Sequence, residues 1–225
     1  LEPILRHCSP WQASSAIAET ANPSLNRTHH GTAPMANILR SAQVVPFFLV
    51  LLAGCASTKV TLEPPSASPV CSSSESALVL WATRWRADQK DVPAREEAAS
   101  SGLNDFLASS ACFAQSELQR VPALSASTAG ARLAGSPGRF TRVVGIEVRE
   151  LGPVVRFLSS AALVEGGTEV VLRVTEYSPA SASELRQFTV HWNNGGPGVV
   201  KGVASLPSDM QSALRAGLQP GVVAK

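Results

Sequence analysis

Apolar and polar residues alternate along three segments in the second half of the chain, and this alternation predicts β-strands. The segments span residues 139–151, 168–177 and 185–193. In each of them one face is apolar: Phe140, Val144, Ile146 and Val148 in the first, Val170, Leu172 and Val174 in the second, and Phe188, Val190 and Trp192 in the third. Residues 178–183 connect the last two segments with small, polar residues, so we expect an antiparallel meander.

Two further strands are predicted nearer the middle of the chain. Residues 77–86 (ALVLWATRWR) are apolar on both faces, which is typical of a strand covered on both sides. Residues 111–121 (ACFAQSELQRV) form the next extended segment. Residues 122–138 are rich in small residues and predict a loop that can hold a short helical turn. Residues 154–164 are expected to be extended and to lead into a turn at Gly166 and Gly167.

Two segments have apolar residues at helical spacing. Residues 93–109 have a helical apolar stripe that consists of Ala99, Leu103, Phe106 and Leu107. Asp91 stands where a helix cap is expected, and Pro93 suits the first turn. Gly102 lowers helix propensity by about 1 kcal/mol relative to alanine, and we expect it to permit close packing on the sheet. Residues 207–217 predict a second, closing helix.

The order of these elements predicts an α+β fold. A strand, a helix and a strand are followed by a run of strands and a final helix. We expect a mixed, mostly antiparallel sheet of about five strands with two main helices packed on one face. Residues 77–220 should form a single domain.

The apolar segment that ends at Cys55 has the features of an export signal. Residues 44–52 form a nearly continuous apolar run, about half of the roughly 20 residues that span a bilayer, so a permanent transmembrane helix is disfavoured. The four residues Leu52-Ala53-Gly54-Cys55 resemble the lipobox of bacterial lipoproteins. That resemblance implies cleavage before Cys55 and attachment of lipid to this cysteine. The alternative, a buried strand or helix, is disfavoured because the run lacks an amphipathic period.

This signal divides the chain into four parts. Residues 1–34 lack a sustained apolar period, and we interpret them as an upstream segment before the true start at Met35, disordered if it is made. Residues 35–54 form the signal peptide. Residues 55–76 are rich in serine and proline and are interpreted as a tether between lipid and domain.

Export changes what the cysteines imply. Cys71 and Cys112 are the two cysteines after Cys55, and in an oxidising compartment an even number suggests a disulfide. A bridge between them would close a loop of about 40 residues and stabilise the domain by roughly 3–4 kcal/mol according to chain-entropy theory. Two buried free thiols are the alternative.

Charge gives no indication of a nucleic-acid partner. The chain contains 19 Lys and Arg against 17 Asp and Glu, and the two signs remain nearly balanced when residues 1–54 are removed. The sequence has no basic run and no alternation of basic and aromatic residues. We therefore expect no nucleic acid among the partners.

No motif in the sequence supports a catalytic site, a metal site or a cofactor. His191 is the single histidine after Cys55 and could act as a general base, but no nucleophile motif such as G-x-S-x-G accompanies it. We interpret it as a solvated strand residue. One histidine also argues against a transition-metal site, and the histidines and cysteine of residues 7–30 do not have a recognised zinc spacing.

A glycine-rich stretch at residues 194–202 is the best candidate for a functional loop, because loops on a rigid scaffold often carry function. Its candidate residues are Asn194, Gly195, Gly196, Gly198 and Lys201. The residue after Lys201 is glycine rather than Ser or Thr, so the stretch does not fit a P-loop. A hinge or a wide turn is the alternative.

The order of elements, together with the segments ALVLWATRWR and RVVGIEVREL, is similar to small periplasmic lipoproteins. These are the auxiliary lipoproteins of ABC-type envelope transporters and the amino-terminal domains of TolB- and curli-secretion-type proteins. The resemblance implies a non-enzymatic lipoprotein that is held at the membrane by the lipid on Cys55 and binds an envelope protein or a lipid in transport or assembly. Ala56 after the cysteine favours the outer membrane, facing the periplasm, by analogy with bacterial lipoproteins. The alternative is a periplasmic hydrolase or small-ligand-binding enzyme that uses His191 or the loop at 195–198.

Overall fold

A computed structural model describes residues 56–65, 69–158 and 163–219, together with the backbone of Leu5 and Arg6. In chain order the elements are β1 (Leu5–Arg6), β2 (Ser57–Glu63), β3 (Ser72–Thr83), α1 (Val92–Ser109), β4 (Phe113–Arg120), α2 (Ala126–Ala134), β5 (Arg142–Leu158), β6 (Leu163–Tyr177), β7 (Glu184–Pro197) and α3 (Leu206–Leu218). A 3-10 turn at Val203–Ser205 precedes α3.

The strands form one mixed sheet in the order β1-β2-β7-β6-β5-β3-β4. The neighbours from β1 to β5 pair antiparallel, and β3 pairs parallel with both β5 and β4. The predicted α+β fold with a mostly antiparallel mixed sheet is therefore confirmed. The sheet is larger than expected because two strands precede residue 77, where the sequence pattern predicted none.

Helices cover both faces of this sheet. α1 and α3 share one core with the sheet, in which Leu103, Phe106, Met210 and Leu214 are fully buried. α2 covers the other face through Ala129, in a smaller core with residues of β3, β5 and β6. The two main helices thus pack on one face as predicted, and α2 is the helical turn expected within residues 122–138.

Strand β3 is covered on both faces, as its sequence predicts. Val79 and Trp81 lie in the larger core, and Leu78 and Leu80 lie in the smaller one, all at most 3% exposed. Residues 77–82 of the strand therefore have no polar face, whereas its first five residues are polar and at least partly exposed.

The predicted tether at residues 55–76 is wrong where the structure describes it. Ser57–Glu63 forms β2 and pairs with β7 along its whole length, and β3 already begins at Ser72. Val60 and Leu62 pack against the larger core. The sequence did not predict this strand because only these two residues give it an apolar alternation, and the surrounding segment is rich in serine and proline.

Gly166 and Gly167 do not form the predicted turn but lie inside β6. They face a second pair of glycines on β7. A Cβ on Gly166 would lie 2.1 Å from the carbonyl oxygen of Val199. Glycine is therefore required here by a close approach of two backbones and not by a chain reversal.

Two smaller expectations also differ from the structure. Asp91 precedes α1, but its backbone is left-handed (φ 55°) and its side chain makes no capping hydrogen bond. Phe140 lies in the smaller core, whereas Val144, Ile146 and Val148 lie in the larger one. Phe140 precedes β5, so the alternation of the strand does not extend to it.

Gly102 permits close packing of α1 on α3 rather than on the sheet. A Cβ at this position would lie 2.6 Å from Cβ of Met210 and 2.7 Å from the carbonyl oxygen of Pro207. A backbone oxygen in a helix cannot move away as a flexible side chain can. The cost of glycine in α1 is thus offset by a short distance between the two helices.

Cys71 and Cys112 form the predicted disulfide, with a Cα–Cα distance of 4.6 Å. It joins the start of β3 to the segment before β4. The backbone N–H groups of Val70 and Cys71 both donate to the carbonyl oxygen of Leu218, each at 3.0 Å. The disulfide therefore lies where β3, β4 and the end of α3 converge.

Replacing Gly102 with alanine should lower the free energy of unfolding by about 1–3 kcal/mol, because the added methyl group overpacks the α1–α3 contact. The matched control is Gly130→Ala in α2, where the new Cβ would be 3.4 Å from Cβ of Ala182. This variant should gain up to about 1 kcal/mol from helix propensity. Chemical denaturation measures the free energy of unfolding of both variants. An equal change in the two variants would contradict the proposed α1–α3 contact.

The double variant Cys71→Ser/Cys112→Ser should lose roughly 3–4 kcal/mol of stability, because its unfolded chain is no longer restricted by the cross-link. Denaturation midpoints measured with and without a reductant check this. The reductant should lower the midpoint of the wild-type protein and leave that of the double variant unchanged. A reductant-insensitive wild type would show that the bridge contributes nothing.

Candidate functional site

A groove of about 680 Å³ lies between α1 and β4 at one edge of the sheet. It is lined by residues of β3, α1 and β4, namely Trp81, Pro93, Glu96, Glu97, Ser100, Ser101, Asn104, Leu118 and Arg120. Leu118 also packs against the larger core. The groove is thus apolar at its floor and polar along its α1 rim, a composition suited to an extended polypeptide.

One ion pair organises the end of this groove. The guanidinium of Arg120 lies 2.6 Å from Oε2 of Glu96 and 5.0 Å from the centre of the Trp81 ring. Thr83 Oγ1 donates to Oε1 of Glu96 at 3.0 Å, and Trp85 Nε1 donates to the same oxygen at 3.4 Å. Arg120, Thr83 and Trp85 thus hold both oxygens of one carboxylate.

These contacts keep Glu96 ionised. The hydrogen bond from Arg120 is the main cause that lowers the pKa of Glu96, with Thr83 and Trp85 adding to it and burial opposing it. An ionised carboxylate whose oxygens already accept hydrogen bonds is a poor general acid. The arrangement fits a fixed recognition surface better than a proton-transfer site.

Strand β4 presents an open sheet edge beside the groove. Among the strands of the described residues, β4 is at the end of the sheet and pairs only with β3. Ala114, Gln115 and Ser116 are exposed, and the strand (FAQSELQR) contains no proline or lysine. Natural edge strands usually carry such residues to prevent pairing with another chain. Part of the β4 backbone can therefore accept a further strand.

The sequence pattern does not reveal this site because its parts are distant in the chain. In the sequence Glu96 and Glu97 resemble acidic residues of a first helical turn, although α1 begins at Val92 and has no acidic residue in that turn. Arg120 lies in a predicted strand without a role. The available signal is topological: β3, α1 and β4 form a parallel strand–helix–strand unit. The two strands of such a unit run in the same direction, so their carboxyl ends lie at the same end of the sheet. This brings Arg120 of β4 close to Thr83 of β3.

The structure places His191 away from the groove. It lies on β7, three strands from β3 in the sheet order. Its Nε2 is 3.6 Å from Oε2 of Glu63 on β2, and the two side chains are 42% and 66% exposed. His191 is thus a partly exposed strand residue, in agreement with the simpler interpretation of the sequence.

The predicted functional loop is largely not a loop. Asn194, Gly195 and Gly196 belong to β7, and only Gly198, with φ of 73°, lies in a turn. The Asn194 side chain donates to Thr58 Oγ1 at 2.7 Å across the β2–β7 pair. These residues extend the sheet, and the sequence hides this because glycine is a poor indicator of strands.

Lys201 has a structural role. Its Nζ lies 2.7 Å from Oδ1 of the buried Asp209 and 5.8 Å from the centre of the Trp192 ring. Ser205 Oγ donates to the other carboxylate oxygen of Asp209 at 3.0 Å. Lys201 therefore neutralises a buried carboxylate at the start of α3, which removes it from the candidate ligand-binding residues.

Several predicted features lie outside the described residues. They are the lipidation site Cys55, the signal peptide at 35–54 and the histidines and cysteine within residues 7–30. In the described ranges, no group of three metal-ligating side chains comes together. The helices that the structure describes are too short or too polar to span a bilayer.

No protein-family model matches the sequence, and no curated protein is significantly similar to it. Solved structures that resemble the chain include the PelC dodecamer from Paraburkholderia phytofirmans, with 12% identity over 72% of this chain and 97% of that chain, at a TM-score of 0.39. A homolog of the neuraminyllactose-binding hemagglutinin from Helicobacter pylori is 11% identical over 66% of this chain and 82% of that chain, at 0.35. A DUF330 protein from Xanthomonas campestris is 16% identical over 66% and 81%, at 0.34. Likenesses this distant assign neither a family nor a function.

Replacing Arg120 with methionine should raise the pKa of Glu96 toward the ordinary value of a glutamate, since the main stabilising hydrogen bond is lost. A ¹³C titration of the Glu96 carboxyl group measures this. Because the folded-state pKa is lowered, the stability contributed by the pair is present above the unfolded pKa of about 4.3 and is lost as the pH falls through the lower folded value.

The variant should accordingly be less stable than wild type at neutral pH, by about 1 kcal/mol or less for a pair this exposed, and the difference should vanish in acid. Arg132→Met on α2 is the control, and it should leave the Glu96 titration unchanged. A Glu96 pKa that is the same in all three proteins would contradict the assigned contacts.

Proposed function

We propose that the protein is a lipid-anchored envelope protein, without enzymatic activity, that binds an extended segment of a partner protein along β4. The lipid on Cys55 would hold it in the outer membrane, facing the periplasm. The observation that carries the proposal is the unprotected edge of β4 beside the α1 groove. A peptide that adds to a sheet edge obtains affinity from main-chain hydrogen bonds and specificity from adjacent side-chain pockets.

The groove supplies such specificity. A strand added beside β4 would run past Leu118, Glu96 and the Trp81-stacked Arg120. Leu118 offers an apolar contact, and the ion pair of Glu96 and Arg120 offers a polar one, so a partner segment in which apolar and polar residues alternate is best matched. The exposed residues 114–116 of β4 carry no charge and no proline, so nothing in this part of the strand opposes pairing, whereas Glu117 and Arg120 further along are charged.

Membrane attachment is supported by the Leu52–Cys55 motif and by the disulfide, which suits an oxidising compartment. β2 begins at Ser57, so a single residue, Ala56, separates the proposed lipid-bearing cysteine from the sheet. Cleavage before Cys55 would also remove β1 and leave β2 as the first strand. The mature sheet would then contain six strands, from β2 to β4.

The enzymatic alternative has less support. His191 and the glycine stretch lie on β7, away from the groove, and the one carboxylate held at the groove is kept ionised by its partners. Neither arrangement brings a nucleophile and a base together.

Introducing lysine at Ala114 and Ser116 should abolish partner binding, because charged side chains on an edge oppose the addition of a strand. Co-purification from detergent-solubilised envelopes, after in vivo photo-crosslinking from a probe at Gln115, measures the loss. The matched control is Ser212→Lys on the exposed side of α3, with a second probe at Ser212. Equal crosslinking from both positions, or binding that survives both lysines, would contradict a docking role for β4.

Membrane attachment is tested separately. Cys55→Ser should release the protein from the membrane fraction, and mass spectrometry of the wild-type amino terminus should detect acyl chains on Cys55. An amino terminus upstream of Cys55 without acyl mass would overturn the anchor while leaving the β4 test intact.

A further inference from the structure

Four large apolar side chains stand out as exposed in the described residues: Val155 at 60%, Leu185 at 62%, Val200 at 94% and Val203 at 50%. Three of them share one end of the sheet. Val155 is paired with Gly166, and Gly166 with Gly196. The N–H of Val199 donates to the carbonyl oxygen of Gly196 at 3.2 Å, so the chain leaves the sheet there and leads to the remaining two valines.

The same end of the sheet holds the beginning of β2. Register pairs Ser57 with Gly195, Gly195 with Gly167, and Gly167 with Val154. Cys55 precedes Ser57 by two residues, so an extended chain places it within about 7 Å of the sheet. Val155 and Ser57, the first residue of β2, therefore lie at the same end of the sheet.

This end also projects beyond the level of Ser57. β5 and β6 remain paired for four more residues after Val154, a length of about 13 Å, and end at the pair Leu158 and Leu163. The sequence of residues 157–164 contains no charged residue. We call the sheet end formed by Val155, Val200, Val203 and the start of β2 the anchored end.

We propose that the anchored end rests against the surface of the phospholipid bilayer, as a second membrane contact beside the lipid on Cys55. This proposal depends on the proposed lipidation. Two facts support it: the clustering of the exposed valines at this end of the sheet, and the spacing of two positions in the sequence between Cys55 and Ser57. Leu185 lies at the other end of the sheet, next to the β6–β7 turn, and serves as the comparison. Apolar side chains that contact a bilayer leave water, which favours the contact.

The contact predicts a definite orientation of the protein. With the anchored end against the bilayer, the strands stand upright and the Leu185 end points away from the membrane. A fluorescent probe on a cysteine introduced at Val200 should thus lie near the lipid, and a probe at Leu185 should not. The native Cys71–Cys112 disulfide leaves the introduced thiol as the one that reacts with the probe.

The experiment uses the acylated protein that begins at Cys55, in vesicles of phosphatidylethanolamine and phosphatidylglycerol that contain a nitroxide-labelled lipid. We expect a bimane probe at Val200→Cys to be quenched several-fold more strongly than one at Leu185→Cys, with emission shifted to shorter wavelength. Equal quenching at both positions, or stronger quenching at Leu185→Cys, would overturn the second contact.

Two further measurements separate the possible failures. Val155→Asp should reduce the quenching at Val200→Cys, whereas Ser212→Asp, distant from the anchored end, should not. Mass spectrometry of the same samples reports the acylation of Cys55. Unacylated protein would overturn the proposed anchor and this proposal together, whereas acylated protein without differential quenching would overturn this proposal alone.

Discussion

The fold depends on the burial of β3 on both faces. Residues 77–82 of this strand are buried on both faces, and each of their backbone N–H and C=O groups must be paired. β3 meets this requirement by pairing with β5 on one side and β4 on the other. β4 therefore supplies hydrogen-bond partners for the backbone of β3. The outer side of β4 forms the edge of the sheet. The candidate site is a consequence of how the core is closed.

The described structure agrees with the sequence pattern wherever apolar periodicity is strong. Both main helices, the meander and the double coverage of β3 follow from local alternation or helical spacing. The sequence pattern did not predict β2 because only two of its residues, Val60 and Leu62, pack against the core. The sequence pattern also did not predict that the glycines of β6 and β7 lie within strands. Their role depends on two backbones that are distant in the sequence and approach closely in space.

Long-range polar contacts were equally invisible. The side chain of Arg95 is buried, and its Nη1 lies 3.0 Å from Oε1 of Glu150 and donates to the carbonyl oxygen of Leu151. A Cβ on Gly152 would lie 1.7 Å from the same nitrogen, so glycine there makes room for the guanidinium. In the sequence Arg95 resembles any charged residue of a first helical turn. Its partners come from β5, and only the packing of α1 on the sheet brings them together. The pair of Glu96 and Arg120 was missed for the same reason.

The shortness of the link between Cys55 and β2 has a further consequence. In the order of the sheet five steps of about 4.8 Å lie between β2 and β4, which separates the two strands by about 24 Å. A lipid attached beside β2 would therefore leave the β4 side unobstructed. With the proposed lipid on Cys55, rotation about this short link would move the open edge of β4 within a narrow layer next to the bilayer. The distance from the bilayer at which a partner segment can reach β4 would then be set by the length of this link.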